Sequence, residues 1–276
     1  MSIKYAYLGP AGTFTEAALI KISEKNDQLI AYANVTAALN AVRVGECQKA
    51  LVPIENSVEG VVARTLDELA IGDPLVITAE TTLPVSFSLM SLDKTDPKEI
   101  KSIATHPHAE SQCRSFIAKN YPNAQVIESS STAAAAKGLS KGDYDAAIAG
   151  SNAAKNYDLK VIAENIGDNT GAVTRFVLVE KPGNQPKATG KDRTSLAVFI
   201  ALDHAGALLE ILNEFAKHQV NLTFIQSRPT GSQLGHYHFI IDAEGHIEDK
   251  PISAALAGLK EICEDVRFLG SYPQAK

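Results

Sequence analysis

The sequence contains few cysteines, and their spacing argues against a cysteine-based framework. Cys47, Cys113 and Cys263 lie far apart in the chain, and none belongs to a CxxC pair. Three is also an odd number, so we expect no set of disulfides that staples the fold. A zinc site with paired cysteine ligands is not expected either. Such sparse cysteine usage is typical of the reducing cytosol, and we predict a cytoplasmic protein.

The chain also lacks an excess of positive charge and any long apolar run. Its 276 residues include 26 Lys and Arg against 32 Asp and Glu, which gives a formal net charge of −6. This balance argues against a nucleic-acid partner, although a locally basic cleft can still hold an anionic substrate. No apolar run reaches the roughly 18–20 residues that span a bilayer. Residues 1–5 lead directly into a strand-like run without the parts of a signal peptide, so we expect no membrane partner.

Apolar strand-like runs alternate with helical segments from residue 5 to residue 179, which predicts an α/β region. The first strand leads through a Gly-rich turn to a helix, for which Thr13 and Glu16 have the spacing of a capping box. Ligands of open α/β sheets bind at the carboxyl ends of the strands. Two lobes with a cleft between them would therefore gather four polar strand-end residues near one point: Thr13, Glu55, Thr105 and Thr174.

A polar segment rich in Pro and Gly interrupts this alternation at residues 182–193 and predicts a linker. The residues after it follow the order βαββαβ, which is ferredoxin-like. We therefore predict a larger domain over residues 1–181 and a smaller one over residues 194–276. The larger domain is predicted to have two lobes, about 1–76 together with 161–181, and 77–160.

Two polar segments follow the early strands, and each allows two interpretations. Residues 9–14 form either an anion site at a helix N-terminus or a plain turn and helix cap. Glu55, Asn56 and Ser57 either orient or bind a substrate, or Asn56 or Ser57 serves as an ordinary helix cap.

Two later segments are also polar where strands end. His106 and His108 are badly spaced for metal ligands on one helical face, and Cys113 is better explained as a buried helix residue than as a nucleophile. Arg175 lies inside an apolar strand, where a charge needs a partner. That partner is either a substrate carboxylate, which suits a guanidinium fork, or an internal carboxylate such as Glu55.

In the smaller domain, residues 206–209 open the first helix and residues 226–229 end the following strand. The helix start is either a simple amphipathic helix that begins at Gly206 or a ligand or subunit contact through exposed N–H groups.

Together these segments resemble the prephenate dehydratase family of the monofunctional bacterial type, followed by an ACT regulatory domain. The matching strings are LGPAGTFT at residues 8–15, VPIENSVEG at 52–60, THPHA at 105–109, QC at 112–113, TRF at 174–176, GALL at 206–209 and QSRP at 226–229. The resemblance implies a two-lobed catalytic region like a type 2 periplasmic binding protein. It also implies conversion of prephenate to phenylpyruvate, CO2 and water, with feedback regulation by L-phenylalanine. Because aromatisation drives this reaction, no metal or organic cofactor is expected.

The resemblance also assigns roles to individual residues. Those expected to be catalytic are Thr174, Arg175, Glu55 and Asn56. Those expected to bind substrate are Thr13, Phe14, Ser57, Thr105, Gln112 and Phe176. Those expected to bind the effector are Gly206, Ala207, Leu208, Leu209, Asn221, Gln226, Ser227 and Arg228.

Three positions depart from the family pattern. Thr105 replaces a common Ser, His108 replaces a common Gln, and Gln226 replaces the Glu that would meet an effector's amino group. The resemblance further implies a homodimer or homotetramer. Two other functions remain open: an arogenate dehydratase, which would form phenylalanine directly, and a non-catalytic protein that binds a small anion.

Overall fold

The structure is a computed structural model that describes residues 2–183, 185–200, 204–230 and 237–275. The chain divides into two compact units. The first comprises Met1–Ala38, Leu51–Val61 and Thr82–Phe176, and the second comprises Leu39–Ala50, Val62–Thr81 and Val177–Lys276.

The predicted larger domain contains strands and helices that alternate along most of its length. Its elements are, in order, β1 (Lys4–Leu8), α1 (Phe14–Ile22), β2 (Gln28–Tyr32), α2 (Val35–Arg43), β3 (Lys49–Asn56), β4 (Gly60–Val61), α3 (Ala63–Ile71), β5 (Val76–Pro84), β6 (Ser88–Ser91), a short 3₁₀ helix (Pro97–Glu99), β7 (Ser102–Thr105), α4 (Pro107–Gln112), α5 (Arg114–Asn120), β8 (Gln125–Glu128), α6 (Thr132–Lys141), β9 (Ala146–Ala149), α7 (Ser151–Asn156), β10 (Lys160–Ala163) and β11 (Val173–Glu180).

These strands form two sheets. The first has the order β2-β1-β3-β11-β5, with β4 paired to β3, and the second has the order β10-β6-β9-β7-β8. The central strands β3, β9 and β11 are mostly apolar and are buried along most of their length. Such runs are typical of strands covered on both faces by helices.

The residues that belong to each sheet differ from those of the two predicted lobes. β5 belongs to the first sheet although residues 77–160 were predicted to form the second lobe. β10 pairs antiparallel with β6 in the second sheet, with Val161 opposite Met90, although residues 161–181 were predicted for the first lobe. The local sequence of a strand predicts that it is extended, whereas its sheet depends on the partner that its backbone finds.

Helix α1 begins as predicted from its capping box. Thr13 Oγ1 accepts a hydrogen bond from the Glu16 N–H at 3.3 Å, and Glu16 Oε2 accepts one from the Gly12 N–H at 2.6 Å. The Glu16 N–H is one of the four N–H groups that a helix start leaves without intrahelical partners, whereas Gly12 precedes the N-cap residue, so the return bond of Glu16 reaches one residue further than in the standard capping box.

Two short helices, α4 and α5, follow β7 where the chain could have formed one continuous helix. The chain leaves helical geometry at Cys113, whose φ and ψ are −121° and 12°. Next to this break, the Asp168 N–H donates to the Gln112 carbonyl at 2.6 Å and the Ser115 N–H donates to Asp168 Oδ2 at 3.2 Å. Asp168 therefore takes up backbone groups that the interrupted helix leaves unpaired.

The smaller domain follows the predicted βαββαβ order. Its elements are β12 (Asp192–Ile200), α8 (Ala207–Lys217), β13 (Leu222–Pro229), β14 (Tyr237–Glu244), α9 (Lys250–Ile262) and β15 (Cys263–Pro273). Its sheet has the order β13-β14-β12-β15, and α8 and α9 pack together over a core that includes Phe215, Phe239 and Leu259. The predicted α/β class with a ferredoxin-like second domain is confirmed. Among the described residues, no helix has both the length and the apolar character needed to cross a membrane.

Candidate active site

Thr174 and Asn56 form the most informative contact of the candidate site. The Asn56 side-chain amide donates from Nδ2 to Thr174 Oγ1 at 2.8 Å. Its other end is engaged as well, since Oδ1 accepts from the Val58 and Glu59 N–H groups at 2.8 and 2.9 Å. These two donors fix which end of the amide faces Thr174. The hydroxyl hydrogen of Thr174 therefore points away from Asn56.

Glu55 and Arg175 form a second, longer pair beside the first. Arg175 Nη1 lies 3.9 Å from Glu55 Oε2, and the Arg175 side chain is only 6% exposed. Neighbouring residues of a strand point to opposite faces of the sheet. Asn56 and Thr174 thus belong to one face, and Glu55 and Arg175 to the other. This placement favours the internal carboxylate as the partner of Arg175.

Two of the predicted substrate-binding residues, Ser57 and Phe176, lie close in sequence to Asn56 and Thr174. Ser57 Oγ accepts a hydrogen bond from the Val173 N–H at 2.9 Å, and the Ser57 N–H donates to the Val173 carbonyl at 2.9 Å. These bonds fix the residue before Thr174. Phe176, two residues further along β11, is buried in the core.

The turn at residues 9–14 is connected to the second sheet's elements. The Asn152 amide donates to the Thr13 carbonyl at 3.1 Å, and the Phe14 ring packs edge-on against Phe87 at 5.7 Å between centroids. The Gly12 N–H donates to Glu16, so this amide does not face a ligand. The geometry thus favours the turn-and-cap interpretation of this segment over an anion site.

Thr105 lies at the carboxyl end of β7, as predicted, but its hydroxyl forms a hydrogen bond with the neighbouring strand. Thr105 Oγ1 donates to the Ile148 carbonyl of β9 at 2.8 Å, and the residue is buried. Only an acceptor function of this oxygen is left for a substrate.

Glu59, for which the sequence predicts no role, contacts Gln112 and His108. Gln112 Nε2 donates to Glu59 Oε1 at 2.8 Å, and His108 Nδ1 lies 3.6 Å from Glu59 Oε2. Glu59 follows β3 and Gln112 ends α4, so this contact joins segments 53 residues apart. The one feature of the sequence that could have indicated this contact is the presence of this carboxylate in the matching string at residues 52–60.

The histidines and the cysteine near α4 have structural explanations. The His106 ring caps α4 by accepting the His108 N–H at 3.2 Å, and burial is the main cause that lowers the pKa of His106. Burial raises the pKa of the Cys113 thiol to about 12, which keeps it protonated and disfavours a nucleophilic role. No group of three or more potential metal ligands was found in the described part of the chain.

The predicted effector residues of the smaller domain lie in two separate places. Gly206, with a φ of 101°, precedes α8, and Ala207 lines a cavity of about 190 Å³ together with His204, Glu210 and Cys263. Leu208 and Leu209 are exposed on the same helix.

The other predicted effector residues belong to the segment that contains β13. Asn221 precedes this strand, and its carbonyl accepts the Glu244 N–H at 2.9 Å. Gln226 donates to the Ser227 carbonyl at 3.0 Å. Arg228 forms a bidentate ion pair with Asp67 of α3, and both N–O distances are 2.8 Å. None of these side chains lines the cavity beside Ala207.

Comparison with known proteins agrees with the motifs. The family model for prephenate dehydratase matches residues 5–184, and the model for the ACT domain matches residues 194–261. A prephenate dehydratase of Amycolatopsis methanolica is 46% identical over 273 residues, which cover 99% of this chain and 89% of the relative.

Solved structures show the same similarity. Prephenate dehydratase from Arthrobacter aurescens, crystallised in complex with L-Phe, has a TM-score of 0.93 and 49% identity, covering 98% of this chain and 90% of that one. Prephenate dehydratase from Staphylococcus aureus has a TM-score of 0.83 and 28% identity, covering 98% of this chain and 100% of that one. GqqA, described as a quorum-quenching acylase, has a TM-score of 0.86 and 26% identity, covering 98% of both chains. The resemblance seen in the motifs is confirmed, and the chain belongs to the prephenate dehydratase family, with an ACT domain after its catalytic domain.

Proposed function

We propose that the chain converts prephenate to phenylpyruvate, CO2 and water as a carbon–oxygen lyase. In this reaction the bond from the ring to its carboxylate breaks, and its electron pair completes the aromatic ring. The ring hydroxyl leaves with its own bonding pair and takes up one proton to become water. The protein has to orient the dianion and stabilise the charge that develops on the departing oxygen.

The hydrogen bond from Asn56 to Thr174 is the observation that carries this proposal. Thr174 Oγ1 accepts from Asn56, and its own hydrogen points elsewhere. Because a hydrogen bond accepted by a hydroxyl makes that hydroxyl a stronger donor, Thr174 is suited to donate to the departing oxygen. A threonine is a weak acid, so electrostatic assistance describes its role better than full proton transfer.

The other predicted residues have supporting or ligand roles in this proposal. Glu55 and Arg175 hold the ends of β3 and β11 in place, and Arg175 binding a substrate carboxylate is the alternative. Ser57 and Phe176 position Thr174 from either side. Gln112 offers its amide, Thr105 an acceptor oxygen, and Thr13 and Phe14 form the opposite wall.

For the whole molecule we propose a cytoplasmic homodimer or homotetramer without nucleic-acid or membrane partners. The catalytic domain would comprise residues 1–181, the linker 182–193 and the regulatory domain 194–276. The similar Arthrobacter aurescens structure contains L-Phe. By analogy, L-phenylalanine is proposed to bind this chain's ACT domain between subunits, which would bring residues 206–209 of one copy to residues 221–228 of another.

The proposal is tested by one assay with and without L-phenylalanine. Phenylpyruvate formed from prephenate is measured by its ultraviolet absorbance in base, and arogenate is assayed in parallel. Thr174→Ala should lower kcat about 100-fold or more with the fold intact, whereas Thr174→Ser should retain most of it. Absence of product from either substrate would leave a protein that only binds a small anion. Near-normal turnover in Thr174→Ala would remove Thr174 from the mechanism.

A further inference from the structure

Glu59 is part of a continuous chain of hydrogen bonds that starts at Thr174. Asn56 donates to Thr174 and accepts the Glu59 N–H, and the Glu59 carboxylate then accepts from Gln112. The chain thus connects the strand ends of the first sheet with helix α4, which is connected to the second sheet. No motif assignment gives Glu59 a role.

Gln112 is held on its backbone side too. Its carbonyl accepts the Asp168 N–H at 2.6 Å, and the residue is about nine-tenths buried. With the backbone fixed, the remaining freedom of Gln112 is the direction of its side-chain amide.

Glu59 decides that direction because an ionised carboxylate only accepts hydrogen bonds. The NH2 group of Gln112 has to face Glu59, so its carbonyl oxygen points away from Glu59. A neutral amide at position 59 would allow either orientation. The bond is also charge-assisted, and the Glu59 side chain is only 29% exposed, so solvent screens this contact only in part.

We propose that Glu59 is a positioning residue, which orients the Gln112 amide and fastens α4 to the segment that carries Asn56. The proposal rests on the proposed function, because its effect is measured as turnover of prephenate. Glu59 itself does not need to touch the substrate.

The test is a double-mutant cycle. Glu59→Ala should lower kcat/KM about 10- to 100-fold, as expected when a bond to a charged group is lost and its buried partner is left unpaired. Gln112→Ala should cause a similar loss. In the double variant the losses should not add, because Glu59 acts through Gln112.

Two further variants separate positioning from a general effect on the fold. Glu59→Gln should regain only part of the activity, because its side-chain carbonyl can accept the same bond but its NH2 group also allows the reversed orientation of the Gln112 amide. Glu110→Ala removes a carboxylate from α4 that pairs with Arg114 instead, and it should retain wild-type turnover.

The outcomes are distinct. If the wild type and Glu110→Ala form no phenylpyruvate, the proposed function fails. If they do and Glu59→Ala matches them, Glu59 has no positioning role. Fully additive losses, accompanied by a lower melting temperature in Glu59→Ala, would also overturn the proposal, because Glu59 would then act on the fold and not through Gln112.

Discussion

At the scale of single residues, Asn56 combines two functions that one substitution can separate. Its Oδ1 holds the turn at Val58 and Glu59, and its Nδ2 holds Thr174. Asn56→Asp keeps the acceptor and replaces the donor by a second acceptor. We expect the melting temperature to change by only a few degrees while kcat falls about 10-fold or more, because Thr174 loses the bond that orients its hydroxyl.

Asn56→Ala is the matched comparison, because it removes the acceptor as well. It should lower both kcat and the melting temperature. If Asn56→Asp kept wild-type kcat, the bond to Thr174 would be irrelevant to turnover. Steady-state kinetics and thermal unfolding, monitored by circular dichroism, measure the two quantities.

At the scale of elements, Thr13 caps α1, and its predicted role in substrate binding can be tested separately. Thr13→Ala should cost about 1 kcal/mol of unfolding free energy through loss of the cap. Thr13→Asp should restore that stability, because Asp is also a good N-cap residue. If the position also borders the substrate dianion, Thr13→Asp raises KM by charge repulsion. Urea unfolding and prephenate kinetics distinguish a cap from a ligand, since unchanged KM would leave only the cap.

The elements that could be predicted from the sequence are those that local patterns determine. The apolar run of β3, the capping box of α1 and the βαββαβ order of the smaller domain depend on nearby residues. The break at Cys113 does not, because it depends on Asp168, 55 positions further along the chain. The role of Glu59 was missed for the same reason, since only the folded chain brings it to Gln112.

At the scale of the whole molecule, we expect His238 to make stability depend on pH. It is fully buried on β14 and stacked on Phe199, and neither ring nitrogen has a partner among the described protein atoms. Burial is the largest cause that lowers its pKa, with Arg228 and Arg267 adding to it and Asp67 opposing it. The folded state therefore binds a proton less readily than the unfolded state.

Stability should accordingly fall as the pH drops below about 6.5, where an unfolded histidine is protonated. The contribution of this residue is at most about 1.4 kcal/mol per pH unit. His238→Leu should show a smaller loss of unfolding free energy between pH 7.5 and 5.5 than the wild type. Other titrating groups are common to both proteins, so the difference between the two losses isolates His238. Equal losses would contradict the prediction.

The ACT domain contacts α3 through the side chains of two arginines. Arg228, in a segment proposed to bind phenylalanine, pairs with Asp67, and Arg267 donates to the Ala70 carbonyl at 2.8 Å. Helix α3 starts four residues after Glu59 along the chain. An effector that moves β13 would therefore also displace α3, the helix that follows the segment of Asn56 and Glu59.

Asp67→Asn should weaken inhibition by L-phenylalanine while turnover without effector stays near that of the wild type. Loss of the coupling would reduce the maximal inhibition by bound L-phenylalanine, because the effect of one site on affinity at another, usually about 5- to 150-fold, would no longer be transmitted. Arg64→Gln is the matched control, because it removes an exposed charge from the same helix. Calorimetry measures L-phenylalanine binding, and the prephenate assay measures inhibition. Binding that persists without inhibition would identify the Arg228–Asp67 pair as the connection, and inhibition at the wild-type concentration would place the connection elsewhere.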